Sequence, residues 1–152
     1  MIEVRVQAGD FDLGHELARL REGDARIGAV VSFVGTVRDM NDGAAVSAME
    51  LEHYPGMTER ALQDIVEQAQ ARWPLMGAIV IHRVGPLKPR DQIVLVAVAC
   101  AHRGEAFDAC EFIIDYLKTD APFWKKEDTA DGARWVDARI TDDSAKAKWV
   151  AH

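Results

Sequence analysis

Gln92–Lys118 reads QIVLVAVACAHRGEAFDACEFIIDYLK, and its two halves follow different periods. Ile93 to Ala101 is an unbroken apolar run of nine residues, rich in β-branched side chains. Such a run predicts a strand buried on both faces of a sheet. It is far short of the roughly 20 residues that a membrane-spanning helix needs. After Gly104 the apolar positions Ala106, Ala109, Cys110, Ile113 and Leu117 recur at helical spacing, with Asp108, Glu111, Asp115 and Lys118 on the other side. Glu105 to Lys118 is therefore expected to be an amphipathic helix with Ala106, Ala109, Cys110, Ile113 and Leu117 on its core side.

The same reading extends outward. Ala78 to Val84 predicts another strand, followed by a loop at Gly85-Pro86 and Pro89. Met57 to Trp73 predicts a helix whose core stripe is Met57, Ala61, Leu62, Ile65, Val66 and Ala69, ended by Pro74. Ile27 to Val37 is expected to be a second strand buried on both faces. It is expected to pair as a long-looped hairpin with the alternating run Val46 to His53, across the turn residues Asn41-Asp42-Gly43. Ile2 to Val6 alternates as a half-exposed strand, Leu13 to Leu20 predicts a short helix, and Phe123 to Lys126 and Arg134 to Ala138 predict short late strands. Adjacent strands that pair place the chain in the α+β class, with a largely antiparallel sheet and flanking helices rather than a doubly wound parallel sheet. At 152 residues, 1–152 is expected to form one domain, with a flexible polar tail from about residue 141.

Composition narrows the function. Lys plus Arg number 18 and Asp plus Glu 25, a net charge of −7. That field repels nucleic acid and anionic membrane, so an anionic ligand needs a local basic cluster. The N-terminus has no basic, apolar leader pattern, and a soluble cytoplasmic protein is expected. Cys100 and Cys110 read as small buried hydrophobes, and Cys100 with His102 and a distant His fits no common zinc spacing, so no metal site is expected. No G-x-G-x-x-G follows the first strand, and there is no Walker loop.

Basic residues gather beside element ends in three places. Arg38 closes Gly35-Thr36-Val37-Arg38 at the end of a buried strand, where rigid backbone could aim its fork at an anion; it could equally pair with Asp39 or Asp42. His102-Arg103-Gly104 precedes a helix, whose first N–H groups favour anions; Glu105 could satisfy that helix end instead. Lys118 sits near a helix C-terminus, where the helix dipole and an i,i+3 pair with Asp115 would suit an ammonium without any function. The apolar Ala121-Pro122-Phe123-Trp124 segment then predicts a fold-back that brings Lys118 and Lys125 to one partly dry site. Such a setting lowers a lysine's pKa and makes it a usable base or nucleophile. His15, His53, His82 and His152 lack local partners in the sequence.

Leu51-Glu52-His53-Tyr54-Pro55-Gly56-Met57, His82-Arg83-Val84-Gly85, Ala101-His102-Arg103, Asp115-Tyr116-Leu117-Lys118-Thr119 and Ala121-Pro122-Phe123-Trp124-Lys125-Lys126-Glu127, with Gly35–Arg38 and Arg134-Trp135-Val136, together resemble the large, catalytic subunit of molybdopterin synthase. The resemblance implies an α/β hammerhead-type fold and a homodimer at the core of a heterotetramer. Each copy would bind a small ubiquitin-like subunit whose Gly-Gly end is activated as a thiocarboxylate. Sulfur would pass from that tail to cyclic pyranopterin monophosphate, the substrate, with no tightly bound cofactor, to make the dithiolene of molybdopterin. The implied pocket is Thr36, Val37, Arg38, His102, Arg103, Lys118, Lys125, Lys126 and Glu127, with Lys118 and Lys125 catalytic and Arg139 supplied across the dimer. The alternative is a docking module for a ubiquitin-like tail that does no chemistry.

Overall fold

The computed structural model describes residues 1–41, 44–129 and 132–137, together with 147, 149 and 150; at 40–41, 44–47, 126–129 and 133–137 it describes the backbone only. In chain order the elements are β1 (Ile2–Gln7), α1 (Leu13–Arg21), β2 (Ala29–Thr36), β3 (Met40–Asn41), β4 (Ala44–His53), α2 (Met57–Arg72), β5 (Gly77–Arg83), β6 (Gly85–Leu87), β7 (Gln92–Cys100), α3 (Arg103–Asp120), β8 (Phe123–Thr129) and β9 (Gly132–Asp137). The α+β class holds, with two mainly antiparallel sheets.

The first sheet runs β1-β5-β7-β2, and only the β1–β5 pair is parallel. Period-2 alternation splits its side chains between two cores. Val80, Val94, Val96, Val98 and Cys100 face α2 and α3, whereas Ile79, Ile81, Leu95, Ala97 and Ala99 face Phe11 and Leu20 beside α1. The central strand β7 is buried on both faces, as its composition requires. α3 buries Ala106, Ala109, Cys110, Ile113 and Leu117 as expected, with Phe112 and Tyr116 beside them.

Two expectations fail for topological reasons. Ile27 to Val37 does not become a doubly buried strand, because β2 is the sheet's edge and leaves Ser32, Phe33 and Thr36 exposed. Nor does it form a hairpin with β4. β2 pairs with β7, and β4 joins the second sheet, β3-β4-β8-β9, with β6 also on β4. The expected loop at Gly85-Pro86 is this short strand β6, where Pro86 stands opposite Glu50. Its tolerance there follows from the edge position, since proline lacks the N–H that a central strand must donate.

The helix α2 departs by one position. Met57 is 63 % exposed, while Thr58 takes the buried place beside Leu62, Ile65, Val66 and Ala69. Gly56 turns the chain at φ +83°, and Glu59 accepts a hydrogen bond from its N–H at 2.8 Å. From the tail, Trp149 packs edge-on against Trp73 and Phe112, its indole N–H donating to Asp115 at 2.7 Å. The turn at Asp42-Gly43, the rest of the tail and Arg139 lie outside the described residues.

Candidate functional site

α3 leaves the C-terminal end of β7 and runs back along the sheet. Its last turn, with Lys118, therefore lies at the end where β7 begins and where β2 and β5 finish. Gly35 shapes that end. A Cβ there would stand 2.7 Å from Val94 Cγ1, so only glycine lets β2 approach β7 at the register shift between Gly35 and Thr36. Beyond the shift, Val37 donates to Asp91 O and accepts from Arg90 N, both at 2.9 Å. Thr36 and Arg38 emerge exposed, and Val37 is buried.

After α3 the chain turns sharply. Ala121 is fully buried, Pro122 O accepts from Thr58 Oγ1 at 3.2 Å, and the same hydroxyl oxygen accepts from Tyr54 N at 3.1 Å. One buried threonine thus ties the Tyr54-Pro55-Gly56 turn to the start of β8. Phe123 follows, stacked on His82 with ring centroids 3.8 Å apart and planes 20° apart. His82 Nδ1 lies 2.8 Å from Arg83 O. A carbonyl only accepts, so Nδ1 carries the proton and the neutral ring keeps Nε2 as an acceptor. Burial pushes the His82 pKa down to about 3, with Lys118 and His53 adding to the depression and the bond to Arg83 opposing it. The ring is neutral across the physiological range.

Lys118 is half-buried in the last turn of α3, close enough to act on the His82 ring. Lys125, also half-buried, follows Phe123 by two residues on the same face of β8, opposite Leu51. The Ala121–Trp124 fold-back is present, and its Phe123 is buried and stacked on the buried His82. Of Lys126 and Glu127 the backbone is described, opposite Glu50 and Met49. A groove of about 400 Å³, lined by Glu52, His53, Tyr54 and Trp124, lies at the β4–β8 pair, Trp124 facing the opposite side of β8 from Lys125. His53 Nε2 lies 3.6 Å from Glu59.

His102 and Arg103 stand elsewhere. They are exposed at the N-terminus of α3, and 15 residues of helix separate Arg103 from Lys118, about 22 Å at 1.5 Å per residue. Within one chain the topology puts Thr36, Val37, Arg38 and Lys118 at one end of the first sheet, with Lys125 on β8 of the second sheet, and leaves the His-Arg pair at the other end of α3. Both cysteines are buried and unpaired, and burial raises the Cys110 thiol to about 12, which suits packing and not nucleophilic chemistry. Among the described residues no group of three His, Cys, Asp or Glu could hold a metal, and no helix is long and apolar enough to cross a membrane. Sequence reasoning missed His82 and Thr58, whose partners are 41 and 64 positions away. The His82-Arg83 motif was the only pointer to the first.

The chain is similar to known proteins along most of its length. The family model described as MoaE protein matches residues 6–120. A molybdopterin synthase catalytic subunit from Ralstonia nicotianae is 70% identical over 149 residues, 98% of this chain and 85% of that protein. A solved molybdopterin biosynthesis MoaE protein from Burkholderia ambifaria superposes with a TM-score of 0.87 at 57% identity, covering 100% of both chains. A molybdopterin synthase from Staphylococcus aureus superposes at 0.77 with 34% identity, covering 86% of this chain and 94% of that one. With most of its length matched by the family model and by relatives far above 30% identity, the chain belongs to the MoaE protein family, that of the molybdopterin synthase catalytic subunit.

Proposed function

We propose that this chain transfers sulfur from the C-terminal thiocarboxylate of a small ubiquitin-like subunit to cyclic pyranopterin monophosphate, forming the dithiolene of molybdopterin. The observation that carries the reading is the α3–β8 fold-back, which has the half-buried Lys118 before it, the half-buried Lys125 after it and, between them in the chain, Phe123 stacked on a neutral His82, in a molecule of net charge −7. A neutral imidazole adds no competing cation there, so the lysines supply the positive potential that a thiocarboxylate and a phosphate both need. Lys118 contacts the inserted tail end and supports formation or resolution of the sulfur-transfer intermediate. Lys125 stabilises charge, or moves a proton, at the pterin. Arg38, His102 and Arg103 hold the phosphate and the polar groups of the pterin, flanked by Thr36, Val37, Lys126, Glu127 and Arg139.

The distance between the two ends of α3 bears on how this pocket is assembled. One chain cannot close His102-Arg103 onto its own Lys118, so the pocket is completed in a homodimer, where a second copy turns its helix N-terminus toward the first copy's lysines. The small subunits then bind outside that dimer, giving a heterotetramer. The pterin is substrate, and no tightly bound cofactor is required. The place of work is the cytoplasm, where free thiols such as Cys100 and Cys110 stay reduced.

The test is Lys118→Ala, assayed in a single turnover with the thiocarboxylated partner. Loss of dithiolene formation with partner binding intact is expected. Near-normal turnover would remove Lys118 from the mechanism.

A further inference from the structure

Trp149 lies 34 positions beyond Asp115 in the chain, is 9 % exposed, and is held by both its ring and its backbone. The ring packs edge-on against Trp73, with centroids 5.7 Å apart, and against Phe112, at 5.5 Å. Arg72, whose guanidinium carbon lies 4.8 Å from the Phe112 ring centroid, donates from Nη2 to Trp149 O at 2.9 Å. Trp149 is thereby docked where the last residues of α2 meet the second half of α3.

A buried indole needs an acceptor for its N–H, and any carbonyl would serve. Here the acceptor is a carboxylate: Trp149 Nε1 donates to Asp115 Oδ2 at 2.7 Å, the short distance of a charge-assisted bond. Asp115 stands three residues before Lys118 on α3, and side chains at i and i+3 are neighbours on a helix surface. Local spacing by itself pairs the two. The structure gives the carboxylate a neutral donor from a distant part of the chain, which fixes its direction. An indole N–H adds no charge, so it orients the carboxylate without discharging it. Released from the indole, the carboxylate could turn onto the ammonium, raise its pKa and hold it on the helix surface.

We propose that Trp149 is a positioning residue for Lys118: its indole N–H keeps the Asp115 carboxylate turned toward the docked ring, so that the carboxylate does not compete with the small subunit's anionic tail for the ammonium. The role of Lys118 in this proposal rests on the sulfur-transfer reading above, whereas the Trp149–Asp115 contact stands apart from it.

The test uses the full chain with thiocarboxylated small subunit in single turnovers. It also reads Lys118 directly, by the rate of its acetylation with trace acetic anhydride, followed by mass spectrometry. Trp149→Phe keeps an aromatic ring against Trp73 and Phe112 and removes the N–H. It is expected to slow sulfur transfer about two- to fivefold, the size of a partly exposed ion pair, with affinity for the small subunit unchanged. Acetylation of Lys118 should slow by a similar factor, because the amine reacts only when neutral. In an Asp115→Asn background there is no carboxylate to turn, and the same Phe substitution is expected to change neither rate. Equal losses in both backgrounds would make Trp149 a packing residue and overturn the proposal, as would unchanged acetylation in Trp149→Phe. The two readings fail separately. Sulfur transfer at the wild-type rate in Trp149→Phe, beside a dead Lys118→Ala enzyme, removes this inference alone. Slowed acetylation in Trp149→Phe, beside normal turnover of Lys118→Ala, removes the lysine mechanism and upholds the coupling of Trp149 to Lys118.

Discussion

The rings of His82 and Phe123 stack 3.8 Å apart, although 41 residues separate them in the chain. The contact joins the last buried position of β5 to the first residue of β8, and so fixes where Lys125 stands relative to the end of α3. It also makes the fold sensitive to acid. The imidazole titrates at about 3 in the folded chain, against about 6.5 when unfolded.

The unfolded chain therefore binds a proton between those values that the folded chain refuses. The His82 contribution is fully present above about pH 6.5 and is lost as pH falls toward 3, at up to ~1.4 kcal/mol per pH unit. Urea unfolding of wild type and His82→Phe across this window checks the sign. The difference in slope should fall on the wild-type side, and parallel curves would contradict the buried, neutral ring.

Thr58→Val keeps shape but leaves Tyr54 N–H and Pro122 O without their shared hydroxyl in a fully buried position. A loss of roughly 1–3 kcal/mol in stability is expected by chemical denaturation. Because the same hydroxyl aims the turn between Lys118 and Lys125, single-turnover sulfur transfer should also fall about tenfold where the variant is fully folded. A variant that is destabilised but equally fast would separate the clamp from the chemistry.

The proposed assembly of the pocket across two copies has a numerical signature. A His102→Ala/Arg103→Ala chain and a Lys118→Ala chain should each be inactive alone. Mixed equally and allowed to exchange, half the dimers are hybrids with one intact pocket each, so about a quarter of wild-type activity returns. If both groups served the same chain's pocket, mixing would restore nothing.

Glu16 on α1 is 5 % exposed and holds Arg5 at 2.6 Å and Arg19 at 2.9 Å, while Arg19 also reaches Glu3 at 2.9 Å. The network pins α1 to β1. Arg19 is about one-third exposed and can recover water when the carboxylate is lost, whereas Arg5 Nε and Nη2 are buried and keep a neutral amide as their nearest acceptor in the variant. Glu16→Gln should therefore cost only about 1–3 kcal/mol, less than a fully buried pair. Salt should narrow the gap between wild type and variant, and a gap unchanged at 1 M salt would argue for packing instead.

Local periodicity was enough to show that β7 is buried on both faces and that α3 turns Ala106, Ala109, Cys110, Ile113 and Leu117 inward, because a period of two or of 3.6 is written along a single element. The motif around Lys118 and Lys125 likewise placed both lysines beside a fold-back. What periodicity cannot carry is adjacency between distant segments. The assignment of β2 to a sheet edge and of β4 to the second sheet, the Thr58 bridge and the His82–Phe123 stack all depend on contacts across long loops. The chain ordering is compatible with several pairings, and packing selects one of them. The separation of His102-Arg103 from Lys118 is of the same kind: α3 is a rigid rod, and its length alone keeps its two ends about 22 Å apart.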